Sequence, residues 1–414
     1  MVSAPCLFFE RNQFGKGYGK LFQHLTENRK KAATVFFWIG LFCELLVSPS
    51  GFAFGGYHEP VIIVAGMACF CVSILCSVLS REEIKHDWWI FGLLGAYGFL
   101  CYHFQHSALV LRLVLILLAG REQDRKKVVQ LFFGGTAVIV GLTFVLAALG
   151  LHNSLVTEGF YRHGFENRIS MGFFHPNGFS FFWMRLFVMG LYLYADRMKG
   201  WMFAVLAVVA GVPFVLVESK MGMAAFAVIF AAALYFRFWR TEKAEKIAYV
   251  AGNVMMVAEL LLIYTLGIFP YPEHTMGAEN NYWDIMNTVT TGRLVHAREA
   301  FQSTPMRFFG YREVEQATEI GFVNTFFHEG LIFVILYVAV LFWLYRRLYR
   351  EHNRMGMLLV LAFTFYSLAE AYLPYFNKNG VWLLLIAGLP QWMMPAKGQT
   401  KGELTSVNDK KIMA

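Results

Sequence analysis

Apolar residues in this chain come in long runs separated by short polar segments. That pattern fits neither a soluble helix with one apolar stripe nor an alternating strand. The runs lie near 32–48, 61–80, 88–102, 107–120, 129–150, 171–194, 201–218, 221–238, 247–269, 323–345, 355–373 and 380–394. Most approach the roughly 20 residues that cross about 30 Å of hydrocarbon at 1.5 Å per residue. The third and fourth are shorter than a full crossing, and the fourth contains Arg112. The pattern predicts an all-α polytopic membrane protein with about twelve transmembrane helices.

Composition excludes a soluble domain. Of 414 residues, 57% are hydrophobic and 15% charged, against about 25% charged in soluble proteins. A net charge of +8 would suggest nucleic acid in a soluble chain, but here the placement of the charge matters more, and no nucleic-acid partner is expected. With the N-terminus inside, the alternate segments 1–31, 81–87, 121–128, 195–200, 237–246, 346–354 and 395–414 hold 26 of the 36 lysines and arginines. The opposite face holds eight: Arg162, Arg168, Lys220, Arg293, Arg298, Arg307, Arg312 and Lys378. Positive charge collects on the cytoplasmic side, so both termini are expected there.

The chain then divides into a cytoplasmic N-terminal segment 1–31, a single transmembrane domain 32–394, and a polar, disordered cytoplasmic tail 395–414. One long extracytoplasmic loop, 270–322, and a shorter one, 151–170, carry most of the outward polar residues. The first apolar run ends without a small-residue cleavage pattern, so it reads as an uncleaved span. No internal repeat is evident. The six cysteines lack metal spacing and read as packing residues, and no metal or cofactor is called for.

Arginines on the outer face are the exceptions to the charge rule. Arg162 and Arg168 precede Met171-Gly172-Phe173-Phe174-His175-Pro176-Asn177-Gly178. Pro176 suits a first helical turn, which would set His175 and Asn177 at an outward helix N-terminus where backbone N–H groups favour a phosphate. The alternative is that Pro176 only starts a span and His175 bonds a neighbouring helix. In Glu218-Ser219-Lys220-Met221-Gly222, Ser219 is a plausible N-cap and Lys220 stands on the first turn; an interfacial anchor is the plainer reading of Lys220. Gly321 to Gly330 opens the tenth span, with Asn324 and His328 four apart on one face. In the long loop, Leu294, Ala297 and Phe301 repeat at helical spacing, which predicts a short amphipathic helix on the membrane surface carrying Arg293 and His296. Arg293 could pair with a pyrophosphate through its planar fork, or lie on a solvated face. Glu44, Arg112, Arg185 and Glu370 fall inside apolar runs, where a charge is paired or functional.

The stretch Arg168 to Asn177, an R-x-x-x-G-x-x-H-P-N pattern, resembles a helix start in Wzy-type polysaccharide polymerases of the O-antigen ligase and polymerase superfamily. Thr291-Gly292-Arg293 with Phe309-Gly310-Tyr311 resembles that family's loop segment, and Asn324 to Gly330, running into Leu331-Ile332-Phe333, is similar to its later helix start. Lys220 stands where the family often has Arg, Glu370 where many members have a glutamate, and Val323 where ligase-like members often have His. The resemblance covers roughly residues 160 to 373.

It implies glycosyl transfer at the outer face of a bacterial plasma membrane, in which undecaprenyl-pyrophosphate-linked oligosaccharide repeats are joined into capsule, exopolysaccharide or O-antigen. A chain-length regulator and a flippase would be partners, along with the lipid bilayer. It implies substrate-binding roles for Arg168, Asn177, Lys220, Arg293 and Asn324, and acid–base roles for His328, His175 or Glu370. The alternatives are ligase-type transfer to another acceptor, a lipid-linked sugar flippase or transporter, and a non-catalytic assembly subunit.

Overall fold

The computed structural model describes residues 27–47, 59–79, 88–161, 164–173, 175–239, 241–268, 293–311, 319–368 and 370–386. Arg162, Arg312, Thr291, Gly292 and the terminal segments 1–26 and 387–414 lie outside these. Helices occur at every predicted run. They are α1 (27–46), α2 (Glu59–Leu79), α3 (Trp88–Gln105), α4 (Leu109–Ala119), α5 (Arg125–Ala148), α6 (Pro176–Tyr194), α7 (Gly200–Leu216), α8 (Lys220–Phe238), α9 (Glu242–Ile268), α10 (Arg293–Ser303), α11 (Gly321–His328), α12 (Gly330–Arg350), α13 (Arg354–Tyr366) and α14 (Gly380–Leu385).

Among the described residues five segments, Pro60–Leu79, Arg125–Ala148, Pro176–Arg197, Lys220–Phe238 and Gly330–Arg350, are long and apolar enough to cross a bilayer, and three shorter apolar helices accompany them. Their outer surfaces are greasy. α7 buries Phe203, Ala210 and Phe214 yet exposes Val205, Val208, Val209, Val212 and Val215. Such a face would drive aggregation in water but is the ordinary surface of a helix in lipid. The chain is a helical membrane protein.

Ion pairs gather several basic segments at one end of the bundle. Arg125, at the start of α5, lies 3.7 Å from Glu351, which Arg347 also meets at 2.6 Å. Nearby, buried Glu245 on α9 accepts from Arg354 and from His352 at 2.8 Å. Burial pushes the Glu245 carboxyl up, but those hydrogen bonds outweigh it and hold the group below its ordinary value. From this end α5 rises through 24 residues, about 36 Å, to the opposite end.

There the structure departs from the all-helical expectation. Segment 151–170 contains an antiparallel hairpin, β1 (Val156–Tyr161) paired with β2 (Gly164–Ile169), in register from Val156 opposite Ile169 to Tyr161 opposite Gly164. Two further expectations are corrected. The tenth run is not one helix but two, broken at Glu329-Gly330. The eleventh stops at Tyr366, where the Ser367 hydroxyl turns back to the Thr364 carbonyl at 2.7 Å and competes with the helical ladder.

Residues 367–368 and 370–379 are irregular but largely buried, and protein groups satisfy part of their backbone. Gly321 N donates to Ser367 O at 2.7 Å, and Trp382 Nε1 to Leu373 O at 2.7 Å. Asn379 Nδ2 reaches Leu373 O at 3.0 Å and the Tyr337 hydroxyl at 2.9 Å. Irregular backbone is tolerated at membrane depth only where it is enclosed this way. The buried charges hold the same segment. Arg112 pairs with Glu44 at 2.8 Å, and Asn377 Nδ2 donates to Glu44 O at 3.4 Å. Arg185 donates to Asn377 O, with its guanidinium over the Phe132 and Phe182 rings.

Candidate functional site

The hairpin delivers the first site residues. After Arg168 near the end of β2, the chain turns through Met171 and Gly172, which has φ +85. A side chain at Gly172 would place its Cβ 2.5 Å from the Ala147 Cβ at the end of α5. Only glycine fits both the left-handed backbone and the close approach. Pro176 then starts α6 at its first turn, and His175 is the N-cap: its Nδ1 accepts from the Asn177 backbone N–H at 3.1 Å. With Nδ1 accepting, the ring proton sits on Nε2. Desolvation, with Arg168 nearby, outweighs the opposing Glu319 carboxylate and keeps the imidazole below its ordinary value. His175 is therefore a neutral donor through Nε2, and taking up a proton at Nδ1 would cost the cap.

The predicted loop helix forms as α10, but it packs on protein rather than on the membrane surface. Leu294, Ala297 and Ala300 are buried, and Phe301 meets Phe326 and Phe327 of α11 with ring centroids 5.6 and 4.9 Å apart. Arg293 is buried instead of solvated, and pairs with the Glu319 carboxylate at 2.5 Å. His296 lies on the exposed side, 3.2 Å from Glu299.

Glu319 is the meeting point. It acts electrostatically on His175 and on Glu370; Arg168 acts on His175, and Arg293 and Lys378 act on Glu370. The charges of Glu370 and Arg293 both act on buried Tyr366. Arg168 with His175, Arg293 and Glu370 thus come within electrostatic reach of Glu319 or of one another, from three separated parts of the chain. Glu370 rides on the irregular segment, whose Ser367 and Glu370 carbonyls crowd Gly321 at the start of α11.

Asn324 and His328 sit along α11 on its half-exposed face, every other α11 residue being buried. His328 ends that helix, about 10 Å from its start. It lies beside the crossing where segment 307–311 runs against the helix break: Tyr311 N donates to Phe327 O, Leu331 N to Arg307 O and Ile332 N to Phe308 O. Gln105 closes the crossing, its Nε2 donating to Phe309 O at 2.7 Å and Glu329 O at 3.2 Å. Lys220 is exposed on the first turn of α8, behind Ser219, whose hydroxyl caps Gly222 at 3.3 Å. The described contacts do not join Lys220 to the cluster.

Three acidic residues escaped sequence reasoning. Glu319 looks like an ordinary loop residue. Glu329 is buried at the helix break with one carboxylate oxygen unpartnered among the described residues. Glu259, in α9, is 3% exposed with both oxygens so, and the rule that flags Glu44 inside an apolar run would have found it. Among the described residues no group of three or more His, Cys, Asp or Glu side chains is arranged for a metal. Compared with known proteins, the chain matches no family model, no curated protein and no solved structure. What fold and site define is a class: a polytopic helical membrane protein with a mixed-charge cluster at the hairpin end of its bundle.

Proposed function

We infer that the protein polymerises undecaprenyl-pyrophosphate-linked oligosaccharide repeats at the outer face of a bacterial plasma membrane. In this reading twelve helices cross the membrane and both termini are cytoplasmic. The observation that carries it is the convergence of Arg168, His175, Arg293 and Glu370. These residues come from the segments that resemble the polymerase family, far apart in the chain.

The chemistry follows from the charges. An acceptor hydroxyl oxygen bonds to the anomeric carbon of the growing chain, the bond from that carbon to the pyrophosphate oxygen breaks, and undecaprenyl pyrophosphate leaves with the electron pair. Catalysis consists chiefly in stabilising the negative charge that grows on the leaving group. Arg293 and Arg168 supply guanidinium forks for that purpose, and His175 supplies an Nε2–H beside the α6 N-terminus. Glu370, which the charges of Arg293 and Lys378 reach, is the alternative acid or base. Asn324 and His328 continue along α11 from the anion cluster, in the order that phosphate, sugar and acceptor hydroxyl would follow. His328 at the far end receives the acceptor's proton.

Deleting the gene in its host tests this reading. Lipid-linked single repeats should accumulate on the outer leaflet while long glycan disappears. Repeats retained on the inner leaflet would mark a flippase instead, and long glycan left unattached to its final acceptor would mark a ligase.

A further inference from the structure

The Arg293–Glu319 pair is a problem for any anion that is to use Arg293. Its two partners differ in burial: the Arg293 side chain is 8% exposed, whereas that of Glu319 is 59% exposed. The arginine is fixed by its place at the start of α10, where Leu294 and Ala297 on the same helix are buried. The glutamate stands on the open side of the cluster, where its charge also reaches His175 and Glu370. A pyrophosphate arriving at Arg293 would meet a carboxylate already on the guanidinium, and two anions cannot share one fork without strong repulsion.

We propose that Glu319 is a place-holding carboxylate: it occupies the Arg293 anion site while substrate is absent, and the pyrophosphate of the lipid-linked glycan displaces it. The inference rests on the polymerase reading for its ligand and concerns a residue that reading does not use. The exchange makes and breaks no covalent bond. One carboxylate leaves the guanidinium for solvent, and phosphate oxygens take its place. The exposure of Glu319 keeps the cost of leaving low, since a solvated carboxylate regains water as it swings out. Two consequences follow. The ligand-free site does not present a bare, buried arginine, which would be costly. Weak anions such as inorganic phosphate are turned away, because only a ligand that offers more contacts than the carboxylate can win the exchange.

The test uses the full-length protein in lipid nanodiscs, with inorganic pyrophosphate as the titrant. Glu319→Gln keeps the shape and removes the charge; it should bind pyrophosphate about three- to tenfold more tightly than the unaltered protein. Glu319→Asp, which keeps the charge, should bind as weakly as the unaltered protein. With lipid-linked repeat as substrate, KM should fall by the same factor in Glu319→Gln. Unchanged or weaker pyrophosphate binding by Glu319→Gln would overturn the proposal and make Glu319 a group that aims Arg293. A fall in kcat at constant KM would overturn it too, by assigning Glu319 to proton transfer. Arg293→Ala separates this failure from that of the wider reading. If Arg293→Ala abolishes pyrophosphate binding while Glu319→Gln fails to tighten it, only the place-holder is lost. If Arg293→Ala binds as well as the unaltered protein, the anion is not on Arg293 and both ideas fall.

Discussion

Replacing Arg293 with alanine is expected to abolish polymer at normal membrane abundance, and replacing it with lysine to remove most of it. Loss of one well-placed donor to a developing anion costs roughly 10²–10³ in rate, and Arg293 supplies two in a fixed plane. Lysine restores the charge but not the fork, so Arg293→Lys cannot regain the bidentate geometry. The expectation is sharper than the sequence allowed, because the side chain is buried and its Nη2 already meets a carboxylate at 2.5 Å. Polymer length by gel, with membrane abundance measured in parallel, checks it. Ample polymer from Arg293→Ala would remove this residue from the site.

The second large effect is structural. Gly310→Ala is expected to deplete the protein from the membrane, or to leave it present and inactive. Gly310 has φ +72, and a Cβ there would press into the His328 carbonyl. Across the crossing, Gly330 has φ +87, and its Cβ would press into the Gly310 N and Phe308 O atoms. Two backbones meet with no room for a side chain on either. Strain of this kind costs on the order of 1–3 kcal/mol per residue before any clash is counted, and the damage falls on the end of α11 that carries His328. Abundance by immunoblot and melting of the purified protein are the readouts. The same substitution at Gly134, which has open space around it, should be tolerated.

The helices could be read from the sequence because lipid imposes a single simple requirement: a run of apolar residues long enough to cross. The run at 221–238 became α8 within a residue, and Pro176 marked the start of α6. The hairpin was hidden because its strands are six residues each and mix Glu158, Glu166 and Arg168 with aromatics. The break at Glu329-Gly330 was hidden for another reason. Phe326 and Phe327 on one side and Leu331 to Val334 on the other keep hydropathy high across it. The break falls at the left-handed Gly330, φ +87, where the Gly310 backbone crosses with no room for a Cβ.

The candidate site was legible as a set of residues but not as an arrangement. Arg168, His175, Arg293 and Glu370 stood out as polar groups in unusual places, yet 202 positions separate the first from the last. Glu319, which draws them together, had no signal of its own, since an acidic loop residue is the commonest thing in a polar segment. Lys220 stood out by the same logic as Arg168, and no described contact joins it to the cluster.

The most direct measurement is reconstitution of the purified protein in vesicles with a defined lipid-linked repeat and no nucleotide sugar. The account predicts a ladder of lengthening lipid-linked glycans and one undecaprenyl pyrophosphate released for each bond formed, both lost with Arg293→Ala. Repeats that stay single while crossing the bilayer, or that remain unchanged with no pyrophosphate released, would contradict it.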